Sequence, residues 1–119
     1  MTTPNIVNVT TMTGNTAVLN VATSAASIVT NPSGSNSIYK LNTLIISNIN
    51  ASSSANLTVE LNRNNTNTAL IRNVTITAGG SFVAVGKDTP IYLMENDIVQ
   101  LAASSSSILN AIASWEQIS

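Results

Sequence analysis

The stretch Leu57-Thr-Val-Glu-Leu61 decides the fold class, because its apolar and polar side chains alternate with a period of two. In a β-strand this period places the three apolar side chains on one face and Thr58 and Glu60 on the other. Val74-Thr-Ile-Thr77 and Val99-Gln-Leu-Ala-Ala103 repeat the pattern. We interpret all three stretches as half-buried antiparallel strands.

Turn-forming residues separate further short apolar segments along the chain. Gly, Pro, Asn and Ser cluster at short intervals, and in Glu95-Asn-Asp97 we expect Asn96 to adopt a left-handed conformation. Eight to ten strands and no convincing helix predict an all-β fold, a single antiparallel β-sandwich of jelly-roll-like type, with a small barrel as the alternative. Further strands are predicted at residues 6–9, 16–22, 27–30, 38–49, 81–85, 91–93 and 109–116, and turns include residues 12–15 and 62–67.

The composition limits the chemistry that is available to this chain. Its 119 residues (12.3 kDa) make one domain, and they include no His and no Cys. Disulfides, zinc sites of Cys or His, and catalysis by a His base or a thiolate are therefore excluded. The sequence points to no cofactor and no metal, and it predicts that the protein is not an enzyme.

Charge is scarce, which indicates a surface that is covered by other protein. Four Lys and Arg and five Asp and Glu serve the whole chain, while Asn, Ser and Thr make up 48 of 119 residues and mean hydropathy is +0.27. A monomer usually depends on many exposed charges for solubility, and interface cores are depleted in them. We expect contacts with copies of itself, for example in a trimer, or with a larger assembly; an uncharged polar monomer is the alternative.

Nucleic acid and membranes are poor partners for this sequence. Lys40, Arg63, Arg72 and Lys87 are scattered, whereas phosphate binding draws on clustered basic residues. The apolar runs are too short to span a bilayer. The first residues lack the charged and apolar regions of a signal peptide, so we expect synthesis in a cytoplasm.

Two segments are the predicted interface. Residues 1–11 form a polar N-terminal arm before a sandwich domain of residues 12–119, and its uncharged apolar residues could pair with a neighbouring subunit as an added strand, an ordinary first strand being the alternative. The unbroken run Leu44-Ile-Ile46 suits a central strand that is covered on both faces or buried against another subunit. The candidate interface residues are Ile6, Val7, Val9, Leu44, Ile45, Ile46 and Trp115.

The sequence lacks the residue patterns of the common phosphate, calcium and catalytic sites. Gly86-Lys87 fails the phosphate-loop pattern, and the acidic turn Glu95-Asn-Asp97 lacks the alternating ligands of a calcium loop. Glu60 and Glu116 fit the polar side of strands better than a catalytic carboxylate pair. Without His, a serine nucleophile would need Lys40 or Lys87 as its base, and neither lies in a recognisable motif. Tyr92 and Trp115 could stack on a sugar, but anchors in a core or interface are the simpler interpretation.

The C-terminal third carries a resemblance to a known group. Ile91-Tyr-Leu-Met-Glu-Asn-Asp-Ile-Val-Gln-Leu-Ala-Ala-Ser104, followed by Ala113-Ser-Trp-Glu-Gln-Ile-Ser119, resembles small virion structural proteins of marine tailed phages, especially cyanophages. That group has a "YL-x-E-G-D" turn and a terminal "S-Y-E-x-I"; here Asn96 stands for the glycine and Trp115 for the tyrosine. Asn5-Ile-Val-Asn-Val-Thr-Thr11 and Thr16-Ala-Val-Leu-Asn20 are also similar to it.

The resemblance implies a non-enzymatic component of a virus particle that is assembled after synthesis in the host cytoplasm. A capsid decoration (cement) protein, bound to a major capsid protein, is the leading expectation. A tail, neck or baseplate accessory bound to a tail protein is the first alternative. The second alternative is a receptor- or glycan-binding module that uses Trp115, Tyr92 and the Asn-rich segment of residues 62–67.

Overall fold

The computed structural model describes residues 11–119, which form nine β-strands joined by turns and loops. Each strand contains the alternating or β-branched pattern that favours extended backbone, and Gly, Asn, Ser or Pro lies in most of the connections. Within the described residues there is no helix that could cross a membrane. The strands are β1 (Met12–Asn20), β2 (Ala26–Thr30), β3 (Ile38–Asn48), β4 (Ala55–Arg63), β5 (Thr66–Ile76), β6 (Ser81–Val85), β7 (Ile91–Leu93), β8 (Ile98–Ala103) and β9 (Leu109–Ile118).

The strands form two antiparallel sheets that pack face to face. The first sheet has the order β1-β9-β3-β6, with β7 paired to β3 beside β6; the second has the order β2-β8-β4-β5. The strands from β1 to β4 thus alternate between the two sheets, and the strands from β5 to β9 return to positions beside them. This is the arrangement of a jelly roll in which β6 and β7 share one strand position. The predicted all-β sandwich is confirmed.

The core lies between the sheets and is almost entirely aliphatic. β3 and β4 contribute the inward faces of their alternating patterns, and β8 and β9 complete the layer from the neighbouring positions. Aliphatic side chains of this kind are each stabilised by about 1.5–3 kcal/mol on full burial. The largest side chains that are completely buried are Leu41, Leu44, Ile46, Leu57, Leu93, Leu101, Leu109, Val21, Val29, Val59, Val85 and Val99.

Two of the predicted turns differ from the structure. Residues 12–15, predicted as a turn, are the first half of β1, because they pair without interruption with residues 115–118 of β9. The predicted loop of residues 62–67 is only a two-residue turn at Asn64 and Asn65, whose φ angles are 53° and 61°. Cross-strand pairing extends both strands through residues that local propensity alone assigns to turns.

One buried asparagine connects the loops at one end of the sandwich. Asn31 is fully buried, and its Nδ2 donates to the carbonyl oxygens of Ser37 at 3.0 Å and Leu93 at 2.9 Å. Its Oδ1 accepts a hydrogen bond from the Ser35 hydroxyl at 2.6 Å. Its backbone N–H donates to the carbonyl of Asp97 at 3.0 Å, and its carbonyl accepts from the N–H of Asn96 at 2.7 Å. The β2–β3 loop is therefore fixed to the β7–β8 turn.

Candidate docking surface

A row of four apolar side chains crosses the outer face of the first sheet. Val18 lies opposite Ile112, Ile112 opposite Ile45, and Ile45 opposite Val83, so the row runs through β1, β9, β3 and β6. Val18, Ile112 and Val83 are 76%, 48% and 57% exposed, and Ile45 is partly exposed. We call these four residues the apolar row. Adjacent exposed apolar residues, in contrast to scattered ones, are typical of a binding surface.

A bulge between β3 and β6 brings the last member into the row. Leu44 pairs with Val85, but the next residue, Ile45, pairs with Val83, so Ala84 is extra. Because a bulge places two residues against one, Val85 points into the core beside Leu44 while Val83 points outward beside Ile45. An unbroken register would have placed Ala84 next to Ile45 and shortened the apolar row.

Small uncharged side chains flank the apolar row on both sides. One flanking row contains Asn20, Asn110, Ser47 and Ser81, and the other contains Thr16, Ser114 and Thr43. A shallow groove of about 310 Å³ lies beside Val18 and Ile112 at the first flanking row. The charged pair of this sheet, Lys40 and Glu116, lies beyond Ser114 along the strands. The face thus presents an apolar centre with a neutral polar border, the composition of an interface without charge complementarity.

The outer face of the second sheet is different, because its polar side chains bond to one another. Asn67 Oδ1 accepts hydrogen bonds from Asn62 Nδ2 at 2.6 Å and Gln100 Nε2 at 3.0 Å. Thr75 Oγ1 donates to Asn56 Oδ1 at 2.9 Å. Amides and hydroxyls that face water in this way keep a surface hydrated without charge. The two faces of the sandwich therefore differ, and among residues 11–119 only the first face carries an apolar row.

Four of the seven predicted interface residues lie in the described part of the chain, and their environments differ. Ile6, Val7 and Val9 lie outside the described residues, together with nearly all of the predicted arm. Leu44 and Ile46 are fully buried between the sheets, so they cannot contact another chain while the sandwich is intact. The predicted interface run of residues 44–46 is therefore wrong at Leu44 and Ile46. Of the three residues, Ile45 alone points outward, and it belongs to the apolar row. The strand alternation divides the run between the core and the surface.

Trp115 points between the sheets, where it anchors the end of the core. Its ring stacks on Tyr39 with centroids 6.1 Å apart and an interplanar angle of 18°. Its indole N–H is buried and has no hydrogen-bond partner among residues 11–119. A ring in this position is not free to stack on a sugar, whereas Tyr92 is exposed on the outer face opposite Lys40. The two aromatic residues therefore do not form a shared platform.

The acidic turn uses its carboxylates to connect strands. Glu95 accepts backbone hydrogen bonds from Gly34 at 3.3 Å and Asn36 at 2.7 Å. Asp97, 1% exposed, accepts from Arg63 Nε at 2.8 Å, from Arg63 Nη2 at 2.6 Å and from the N–H of Met94 at 2.7 Å. The hydrogen bonds to Asp97 raise the pKa of Arg63 above its ordinary value. Carboxylates engaged by N–H donors leave few oxygens for a cation.

The two carboxylates considered as a catalytic pair, Glu60 and Glu116, lie far from each other in the fold. Glu60 lies on the outer face of the second sheet beside Gln100, whereas Glu116 lies on the outer face of the first beside Lys40. Two carboxylates on opposite faces of a sandwich cannot act on one glycosidic bond. Among residues 11–119, no cluster of three Asp or Glu side chains has the arrangement of a metal site.

A polar cleft of about 350 Å³ is lined by Asn62, Asn64, Asn65, Asn96 and Ile98. It combines the predicted Asn-rich segment with the acidic turn, because the β4–β5 and β7–β8 turns meet at this end of the sandwich. Amide side chains can hydrogen-bond to a sugar. Neither Trp115 nor Tyr92 lines the cleft, so it lacks the aromatic platform that the sequence suggested for glycan binding.

Comparisons with known proteins show what the fold is similar to. No protein-family model matches the chain, and no curated protein does either. A chain of the Bacillus endospore appendages, described as a family of disulfide-linked pili, is similar with a TM-score of 0.55 and 14% identity, over 92% of this chain and 87% of that one. A chain from the acid-stable capsid of the Helicobacter pylori bacteriophage KHP30 has a TM-score of 0.54 and 9% identity, over 94% and 90%. At these identities the likeness shows a common fold.

Proposed function

We propose that this protein is a non-enzymatic structural component of a phage particle, and specifically a decoration (cement) protein that binds the outside of the capsid. The observation that supports the proposal is the apolar row with its uncharged border on one face of the sandwich. That face docks on a protein surface, and the hydrogen-bonded outer face of the second sheet faces water. The fold similarity to a phage capsid chain supports the same context.

The size of this surface favours binding at several linked sites. With strands about 4.8 Å apart and side-chain rows about 6.8 Å apart, four strands and three rows cover roughly 400 Å². A stable interface of ordinary size buries about 800 Å² on each partner. A single contact of this area is therefore weak, and it gains affinity where one copy, or copies that contact each other, bind several sites at once. A small protein that reinforces contacts between shell subunits uses this principle.

Quantitative mass spectrometry of purified particles from the virus that encodes this chain tests the proposal. We expect a copy number in a simple ratio to that of the major capsid protein. A copy number matched to a tail, neck or baseplate protein would replace the capsid role by an accessory role there. Absence from purified particles would overturn both placements.

The Asn-lined cleft supports a second candidate function, a glycan-binding module. This candidate can be tested separately. Its turns present amides from Asn62, Asn64, Asn65 and Asn96. A glycan array with the purified protein is expected to show no competable binding. Binding that is lost in Asn64→Asp and kept in Ile112→Lys would assign receptor or glycan recognition to this end of the molecule.

A further inference from the structure

β1 has an open edge whose backbone groups point away from the molecule. It lies at the end of the first sheet and pairs only with β9 among the described strands. Thr11 and Ser119 exchange two backbone hydrogen bonds of 3.0 Å and 2.9 Å, and the N–H of Val21 donates to Leu109 at 2.9 Å. Because backbone direction alternates along an antiparallel strand, the odd-numbered residues of β1 point their N–H and C=O groups at β9. The even-numbered residues point theirs at the open edge.

Five residues therefore present ten backbone groups at this edge: Met12, Gly14, Thr16, Val18 and Asn20. All five are exposed, and within residues 11–119 no group supplies a hydrogen-bond partner to them. Folded proteins usually protect such an edge with Lys, Pro or a bulge. β1 contains no charged residue and no proline, and its register with β9 is unbroken from Met12 to Asn20.

The other edges of the two sheets are interrupted. β2 has five residues and a register shift after Ser27. β6 also has five residues and contains the bulge at Ala84. β5 has two register shifts, a positive φ of 51° at Asn73 and the exposed charge of Arg72. Among the described edge strands, β1 alone is both long and regular, which makes it the edge suited to pairing with another strand.

We propose that β1 pairs with β1 of a second copy of this chain, antiparallel and across a two-fold axis at Thr16. Thr16 is the midpoint of Met12–Asn20 and points its backbone groups outward, so this register uses the whole strand. Thr16 then lies opposite Thr16 of the second copy, and Gly14 opposite its Val18. The first sheets join into a continuous ten-stranded sheet, with both apolar rows on one face. Cross-strand Thr pairs stabilise such contacts, and β1 carries no charge to oppose them.

The proposal concerns the isolated protein and does not depend on the role in a particle. Sedimentation equilibrium of the full chain is expected to show a dimer. Thr16→Pro removes one outward N–H and no bond to β9, and we expect it to yield a folded monomer. Thr16→Val keeps the N–H and the branched side chain, so it is the matched control and stays dimeric. Circular dichroism of each variant verifies folding.

A disulfide variant tests the register even where the proline variant fails to fold. The chain has no cysteine, so Thr16→Cys introduces a single thiol. Opposite residues in a hydrogen-bonded pair have Cα atoms about 5.5 Å apart, within the range of a disulfide. On mild oxidation we expect a covalent dimer to form at least about tenfold faster than with Thr68→Cys, which is exposed like Thr16 but lies on β5, because the proposed contact raises the effective thiol concentration only at residue 16.

Three results would overturn the proposal. The first is a monomer or a trimer for the unmodified chain. The second is equal crosslinking of Thr16→Cys and Thr68→Cys. The third is a dimer that disappears when residues 1–10 are deleted and that Thr16→Cys does not crosslink, because that result would assign the pairing to the N-terminal segment.

Discussion

Arg63 and Asp97 form a two-bond ion pair that joins the end of β4 to the β7–β8 turn, with Nε–Oδ1 and Nη2–Oδ2 distances of 2.8 Å and 2.6 Å. The carboxylate is almost completely buried, while the guanidinium is half-exposed. The pair therefore holds a negative charge inside the fold and leaves its partner in contact with water. Because of this asymmetry, a substitution of Arg63 leaves a buried carboxylate without its charge partner.

We expect Arg63→Ala to lower the free energy of unfolding by about 2–3 kcal/mol. Removing one partner of a buried pair costs about 3–5 kcal/mol, and water that replaces the half-exposed guanidinium reduces that loss. Urea unfolding measures the difference. Arg72→Ala, at an exposed position on β5, is the control and should change stability by less than about 0.5 kcal/mol. Equal effects of the two variants would contradict the ion pair's role.

The loss in Arg63→Ala should not depend on pH between about pH 6 and about pH 9. Hydrogen bonding to Asp97 raises the pKa of Arg63 in the folded state. A raised pKa contributes stability that is complete below the unfolded-state value and disappears only as the pH rises through the folded-state value, far above this window. Repeating the urea titrations of both proteins at the two limits tests this. A difference that shrinks towards the upper limit would contradict it.

Asn31→Ala should cost about 3 kcal/mol, because it leaves the buried carbonyls of Ser37 and Leu93 without donors. Thermal and urea unfolding measure the loss. Asn15→Ala is the matched control, since its side chain makes one exposed hydrogen bond of 3.4 Å. We expect the control to change stability by less than about 0.5 kcal/mol. If Asn31→Ala also cost less than about 0.5 kcal/mol, the loops would be held together by other contacts.

The run Leu44-Ile-Ile46 allows a test of alternation within three residues. Leu44→Ala should lower the free energy of unfolding by about 2–5 kcal/mol, because it opens a cavity in the aliphatic core. Ile45→Ala, next to it on the outer face, should cost less than about 1 kcal/mol. Urea unfolding compares the two. Similar losses would show that both side chains are buried, in conflict with the placement of Ile45 in the apolar row.

On the proposed decoration role, Ile112→Lys should abolish binding to the capsid and leave the thermal midpoint nearly unchanged, since it places a charge at the centre of an exposed apolar row. Ile49→Lys is the matched control, because Ile49 is 56% exposed but lies after β3, outside the row. Co-sedimentation of each variant with particles that lack the protein measures binding. Loss of binding in both variants, or in neither, would contradict docking through the apolar row.

Asn96 tests the turn that the sequence predicted. Its φ is 71°, as expected for a left-handed residue, and its N–H donates to the carbonyl of Asn31 at 2.7 Å. Asn96→Gly should leave stability within about 0.5 kcal/mol, whereas Asn96→Val should cost about 1–2 kcal/mol because a branched side chain opposes this conformation. Thermal unfolding measures both. A neutral Asn96→Val would show that the turn relaxes.

Much of this fold could be predicted from local patterns. Residues 81–85 and 91–93 were predicted as strands and are strands in full, because apolar and β-branched residues lie between clear turn residues. The predicted strand of residues 74–77 covers only the end of β5 and leaves out residues 66–73, since Thr66-Asn-Thr is as polar as a loop and becomes a strand only by pairing with β4. Sequence periodicity reflects the alternation of buried and exposed side chains. An edge strand with few buried side chains therefore shows little periodicity.

For the candidate docking surface, the sequence alone indicated that charge is scarce, that the chain is a β-sandwich and that the run of residues 44–46 is strongly apolar. Only the tertiary structure decided that Ile45 joins Val18, Ile112 and Val83 while its two neighbours enter the core. The reason is physical: composition and strand period are local properties of the chain. A row across four strands depends instead on register, which is set by long-range pairing and, at Ala84, by one bulge.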